Sequence, residues 1–161
     1  MNLIYRVGQL AIILSIFTLI TGCNNNNKPE LPKSKRTDLE LYLSTIEAHN
    51  LLEKEGQKTL FIDVRTPAEV AEGMPAPADA NIPIVRQNNN QTEFNDDFVT
   101  AVEASLAEKG LNKDSPILLI CRQGNRSAVA TNTLAKAGYK KVYNVTDGAI
   151  GWRKNDLPWN Q

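Results

Sequence analysis

The sequence predicts an α/β fold, a single domain with a central, mainly parallel sheet and helices on both faces, and three observations predict it. Ile117-Leu118-Leu119-Ile120 is apolar at every position, and Leu60-Phe61-Ile62 likewise, the composition of short strands buried on both faces. Helical patterns alternate with these runs along the chain, which is how parallel strands are joined. The 161 residues leave room for one such domain, and no internal repeat divides them.

Taken in order, the chain begins with a segment that does not belong to that domain. Leu10 to Ile20 is an apolar run behind a short stretch carrying Arg6, and it ends in Leu19-Ile20-Thr21-Gly22-Cys23. A positive start, a short apolar core and small residues at the end describe an export signal, too short to span a bilayer comfortably. Gly22-Cys23 resembles the lipobox of bacterial lipoproteins. That resemblance implies cleavage before Cys23 and acylation of Cys23, so residues 1–22 are expected to be a signal peptide and the protein a membrane-anchored one. Residues 23–41 are then expected to form a lipidated N-terminus and a flexible tether, because Asn24 to Asn27 and the Lys/Pro-rich stretch behind them have almost nothing to bury. About a dozen residues of such coil would hold a domain roughly 20 Å from the lipid. The expected location is the bacterial cell envelope, on the periplasmic or extracytoplasmic side. Asn24 stands where an aspartate is associated with inner-membrane retention, so the outer membrane is preferred.

The domain proper is read over residues 42–155, with 156–161 as a C-terminal tail. Ser44-Thr45-Ile46-Glu47 is a capping-box pattern, and Ala48, Leu51 and Leu52 form the apolar stripe of a helix that ends near Gly56; His49 falls at its margin. A strand over residues 59–65 ends in Asp63 and Arg65. Thr66-Pro67-Ala68-Glu69 then repeats the capping box, with proline at the first helical position. Arg65 and Glu69 lie one helical turn apart and are expected to pair, pinning this strand-to-helix corner. Asn81-Ile82-Pro83 reads as a short strand and Asn88 to Gln91 as a polar surface loop. A helix is expected from about Asp96 to Lys109, presenting Phe98, Val99, Val102 and Leu106 on one face and stopping at Gly110. Beyond the 117–120 strand, a helix runs from Ser127 to a stop at Gly138, and residues 142–145 give the next strand. Asp147-Gly148-Ala149-Ile150-Gly151-Trp152 closes the domain.

The chemistry concentrates in Cys121-Arg122-Gln123-Gly124-Asn125-Arg126-Ser127, a tight loop between strand and helix. Backbone N–H groups of such a loop can point into one concavity, and the helix that follows adds the positive end of its dipole, so the site favours an anion. Gly124 permits the positive-φ turn this requires, and Asn125 tolerates one. A cysteine at the mouth of the cradle would be held partly as thiolate, the nucleophilic form. The segment resembles the active-site loop of the rhodanese family, single-domain sulfurtransferases that carry Cys-Arg-x-Gly-x-Arg-Ser between a buried strand and a helix. Two further stretches resemble the family's signatures in the right order: Asp63-Val64-Arg65-Thr66-Pro67-x-Glu69, and the glycine-rich turn leading to Trp152. Where the family usually has a histidine, this chain has Met74, within a loop one residue longer over residues 72–83.

The resemblance implies a catalytic Cys121 that accepts sulfur as a persulfide. Arg122, Gln123, Gly124, Asn125, Arg126 and Ser127 would bind the substrate, and Asp63, Arg65 and Glu69 would give structural support. It implies no metal or organic cofactor, a small anionic sulfur donor such as thiosulfate, and a thiol or cyanide acceptor, a redox protein among the candidates. Composition narrows the alternatives. Eighteen basic against eighteen acidic residues give no argument for nucleic acid, and a single histidine excludes a metal site of several histidines. With Cys23 acylated, Cys121 would be the one remaining thiol and no internal disulfide could form. A cysteine phosphatase or arsenate reductase is the rival enzyme, but related phosphatases place five residues between cysteine and arginine and this chain places four. The non-enzymatic rival is a module that carries persulfide or binds a partner without turnover.

Overall fold

The computed structural model describes residues 30–88 and 91–161; the export segment, Cys23 and the start of the tether lie outside the described residues. A 3-10 turn at Lys33–Lys35 leads to strand β1 (Tyr42–Leu43) and helix α1 (Thr45–Glu55). Strand β2 (Leu60–Asp63), helix α2 (Pro67–Val70) and short strands β3 (Met74–Pro75) and β4 (Ala80–Asn81) follow. Next come a hairpin of β5 (Val85–Asn88) and β6 (Gln91–Phe94), helix α3 (Phe98–Glu108), strand β7 (Ile117–Ile120) and helix α4 (Asn125–Lys136). The chain ends in β8 (Val142–Val145), α5 (Gly148–Lys154) and β9 (Trp159–Asn160).

The main sheet has the order β1-β8-β7-β2-β4, and every neighbouring pair in it is parallel. Side chains alternate across a strand, so the apolar runs of β2 and β7 feed two cores. Leu60, Ile62, Ile117, Leu119 and Cys121 pack with Phe98, Val102 and Leu106 of α3 and with Ala130 and Leu134 of α4. Phe61, Leu118 and Ile120 face the other way, against Ala48 and Leu52 of α1 and Trp152 of α5. Helices thus cover both faces, as the unbroken apolar runs require. His49 stacks edge-on against Trp152, with ring centroids 5.8 Å apart, a boundary role. Both predicted capping boxes form, at Ser44 with Glu47 and at Thr66 with Glu69.

Four expectations change. Residues 31–161 form one compact unit, so the folded part starts before residue 42. Lys35 Nζ donates to the Thr146 carbonyl at 2.9 Å, the Asp38 amide donates to Asn132 Oδ1 at 2.8 Å, and Leu39 packs on the core, which makes residues 31–41 a strap rather than tether. The stretch read as a tail forms β9 and pairs antiparallel with β3, Pro75 opposite Trp159. Asn88 and Gln91, read as loop, are instead the paired ends of β5 and β6, and the polar, exposed β6 carries none of the alternation that betrays a strand. Finally, α4 starts at Asn125 rather than Ser127, and the positive φ of the turn falls on Gly124.

Because the sheet is parallel, the carboxyl ends of its strands lie along one edge. Cys121 follows β7 there, between the Asp63–Arg65 corner behind β2 and the Thr146–Gly148 turn behind β8.

Candidate active site

The loop that carries Cys121 is shaped by close backbone packing. Gly124 adopts φ +93°, and a Cβ there would sit 2.3 Å from the Thr146 carbonyl oxygen, so no side chain fits. Gly148 touches the loop from the β8 side: a Cβ on it would lie 2.5 Å from the backbone of Arg122. The amides of Ala149 and Ile150 donate to the carbonyls of Cys121 and Arg122, at 2.8 and 3.2 Å, and so lash the loop to the start of α5.

Within it, the Gly124 amide donates to Cys121 Sγ at 3.1 Å. Gly124 is also the N-cap of α4, and no side chain caps that helix. The first-turn amides of α4 therefore have no side-chain acceptor from the cap, and the positive end of the helix dipole lies at the head of the cysteine loop. Cys121 is only 1% exposed, and its sulfur forms the floor of the loop. Arg122, Gln123 and Asn125 are exposed, and Ser127 is buried. The Ser127 hydroxyl lies 3.4 Å from Cys121 Sγ and donates to Asn144 Oδ1 at 2.7 Å. Asn144 itself is fully buried in β8. Its Nδ2 donates to the carbonyls of Gly124 and Lys35, each at 3.1 Å, so one side chain holds the cysteine loop, α4 and the strap together. The sequence reading missed it; the signal was a lone amide inside the apolar strand Val142-Tyr143-Asn144-Val145.

The expected Arg65–Glu69 side-chain pair does not form. Arg65 lies ahead of the Thr66 N-cap, outside α2, so helical spacing does not bring its guanidinium to the Glu69 carboxylate. Instead Arg65 turns back on the strand end. Its Nε and Nη2 donate to the fully buried Asp63 carboxylate at 2.7–3.0 Å, and Nη2 donates to the Gly73 carbonyl at 2.7 Å. Glu69 closes its capping box on Thr66 and accepts a two-pronged bond from Arg126, Nη1 to Oε2 at 2.7 Å and Nη2 to Oε1 at 2.6 Å. This bond from Arg126, opposed in part by burial, lowers the Glu69 carboxyl from 4.5 to about 2. Arg126 is raised further above its ordinary range, chiefly by Glu69 and in smaller part by the charges of Cys121 and Asp63. Of the two loop arginines, then, Arg126 is braced across to α2. Arg122 makes no side-chain hydrogen bond or ion pair among the described residues and lines an open cleft of about 380 Å³ beside the loop.

A parallel α/β sheet with a cysteine-headed loop between its central strand and the following helix, at the carboxyl edge, defines the class of protein. The chain belongs to the rhodanese family, whose rhodanese-like domain model matches residues 44–155. It is 32% identical over 116 residues to thiosulfate sulfurtransferase 16, chloroplastic, of Arabidopsis thaliana, covering 72% of this chain and 89% of that one. A sulfurtransferase of Allochromatium vinosum is 30% identical over 102 residues, 63% of this chain and 78% of that one. The solution structure of the polysulfide-sulfur transferase homodimer from Wolinella succinogenes is similar with a TM-score of 0.53 at 28% identity, covering 74% of this chain and 77% of that one.

Proposed function

We propose that this protein is a sulfurtransferase that carries a sulfane sulfur as a persulfide on Cys121. The observation that carries the reading is the Gly124 amide on Cys121 Sγ at 3.1 Å, at the head of a helix that no side chain caps. Donors fixed in this way stabilise sulfur anions without reorganising. Relatives named as sulfurtransferases support it at the level of the family. In the first step the Cys121 thiolate attacks the outer sulfur of thiosulfate or a similar donor. The donor's S–S bond breaks, and its electron pair leaves with sulfite. Arg122 binds the anionic donor, while Arg126 supplies fixed positive charge beside it. The new terminal sulfur, an anion, lies under the amides of the loop. A thiol or cyanide then attacks that sulfur, and the pair of the breaking bond returns to Cys121. Four residues between Cys121 and Arg126 close a smaller ring of amides than the five of related phosphatases, which suits a sulfur atom better than a phosphoryl group.

Incubation of the purified protein with thiosulfate should add about 32 Da to its intact mass, one sulfur on one nucleophilic cysteine, and should release sulfite when an acceptor is supplied. Hydrolysis of an aryl phosphate without sulfite release would overturn the assignment. We further propose that the domain works in the cell envelope on a lipid attached at Cys23, on the strength of the apolar run and Gly22-Cys23. Cys23→Ser should then leave an unprocessed precursor; a variant processed and membrane-bound as before would refute the anchor.

A further inference from the structure

The strap brings the chain onto the domain at the edge that holds the cysteine loop. Pro32, Ser34 and Lys35 line a cleft of about 630 Å³ together with Gln123 and Asn125 of that loop and Ile150 and Lys154 of α5. Ser34 Oγ donates to Asn125 Oδ1 at 3.3 Å, which joins the strap to the head of α4. Ile150 also lines the cleft of about 380 Å³, so the two clefts adjoin on either side of it. Its side chain is 45% exposed although large and apolar. Cations stand around it, Lys35 and Lys154 in one cleft and Arg122 and Arg153 in the other. The carboxylates there are fewer: Glu69 is taken up by Arg126, which leaves Asp147 and Glu72. Lys154 makes no side-chain hydrogen bond or ion pair among the described residues. Lys35 spends one of its three N–H groups on the Thr146 carbonyl.

An exposed apolar side chain ringed by cations suits a surface that rests on anionic lipid, the apolar group entering the headgroup layer and the cations meeting phosphates. The length of chain ahead of the strap points the same way. Seven residues stand between Cys23 and Leu31. A chain that short spans at most about 25 Å, against a diameter of roughly 35 Å for a domain of this size. A lipid on Cys23 therefore keeps the edge that the strap joins nearer the membrane than the opposite one. Resting on the anchor proposed at Cys23, we propose that the carboxyl edge of the sheet around Ile150 is a membrane-contact surface that docks on anionic phospholipid. Ile150 enters the headgroup layer, and Lys35, Lys154 and Arg153 face phosphates. The anchor brings this edge close, and the cations decide which way it faces. Docked so, the protein presents the cysteine loop, whose Gln123 and Asn125 line the same cleft, at the lipid surface.

Cys121→Ser leaves Cys23 as the one thiol of the sequence, so a chain starting at Cys23, whose residues 31–161 form one compact unit, can be coupled through it to a maleimide phospholipid in vesicles. A tryptophan reporter is then introduced by Ile150→Trp or, just ahead of β8 at the amino edge of the sheet, by Lys140→Trp, and its quenching by brominated acyl chains is read above that of the parent chain. On vesicles containing phosphatidylglycerol, Ile150→Trp should be quenched and Lys140→Trp should not. Quenching of Ile150→Trp should fall on pure phosphatidylcholine and at high salt. Adding Arg153→Gln and Lys154→Gln together should lower the ratio of docked to undocked protein about twentyfold. Equal quenching of the two reporters, none of Ile150→Trp, or quenching indifferent to phosphatidylglycerol and to the paired substitution would overturn the proposal and leave this edge to a soluble partner. In solution, with Cys121 retained, the paired substitution should release sulfite from thiosulfate at the wild-type rate; a slower rate would tie these cations to the donor and overturn their assignment to lipid. Docking of the coupled chain alongside normal processing of Cys23→Ser refutes the anchor and leaves the membrane-contact edge standing. An anchored protein whose edge does not dock refutes this inference alone.

Discussion

Cys121 and Asn144 divide the work of the site between reactivity and shape. The sulfur is nearly closed off from solvent and touches one amide and one hydroxyl. Cys121→Ser should keep the fold, because oxygen replaces sulfur in nearly the same space, and should abolish the gain of about 32 Da on thiosulfate treatment. Any residual mass gain would show a second acceptor of sulfur. Asn144 touches no reacting atom but satisfies the Gly124 and Lys35 carbonyls and accepts from Ser127. Asn144→Ala strands these groups in a buried site, a loss on the order of 2–3 kcal/mol. Chemical denaturation should show that loss, and sulfite release should slow because the Gly124 amide is no longer held in register. A stable variant with a normal rate would mean that the loop keeps its shape without the amide.

Between elements, the tie that matters is α2 to α4 through Glu69 and Arg126. Glu69 is depressed from its ordinary 4.5 to about 2, so its contribution to stability is fully present above about 4.5 and is lost as pH falls toward 2. The carboxylate is 30% exposed, and solvent screening reduces the contribution to about 1–2 kcal/mol. Unfolding by urea at pH 7 and at pH 3 should reveal a drop in the wild type that is smaller in Glu69→Gln. Identical slopes would place the acid sensitivity elsewhere. The caps of α1 and α2 were legible in the sequence because a capping box is a local pattern, and β2 and β7 were legible because strands buried on both faces are apolar without interruption. What escaped were partners set by the tertiary fold. Arg65 turned to Asp63 because the chain bends at Thr66, and Asn144 gained its role from three segments distant in sequence. The cysteine loop was legible as a site since strand, glycine and helix are contiguous; the cleft beside it was not, since Arg65, Arg122 and Trp159 come from separate segments that meet only in the fold.

On the scale of the whole molecule, the boundary between tether and domain falls at about residue 31 rather than 42, with consequences for the site. Composition could not show this, because Lys33 to Arg36 is polar throughout and binds by side chain and backbone rather than by burying an apolar face. Lys35 alone contacts two residues of the β8 end, its Nζ on the Thr146 carbonyl and its own carbonyl on Asn144, and Thr146 is the residue against which Gly124 packs. The strap is therefore continuous with the shape of the cysteine loop. A chain shortened to start at residue 42 loses these bonds, the Asp38–Asn132 bond and the packing of Leu39, together worth on the order of 2–4 kcal/mol. A chain starting at residue 24 should show the stability of the full domain, and the shortened one should melt several degrees lower. It should also transfer sulfur more slowly, since Asn144 keeps only its loop-side partners. Equal melting temperatures and rates for the two chains would return residues 31–41 to the tether.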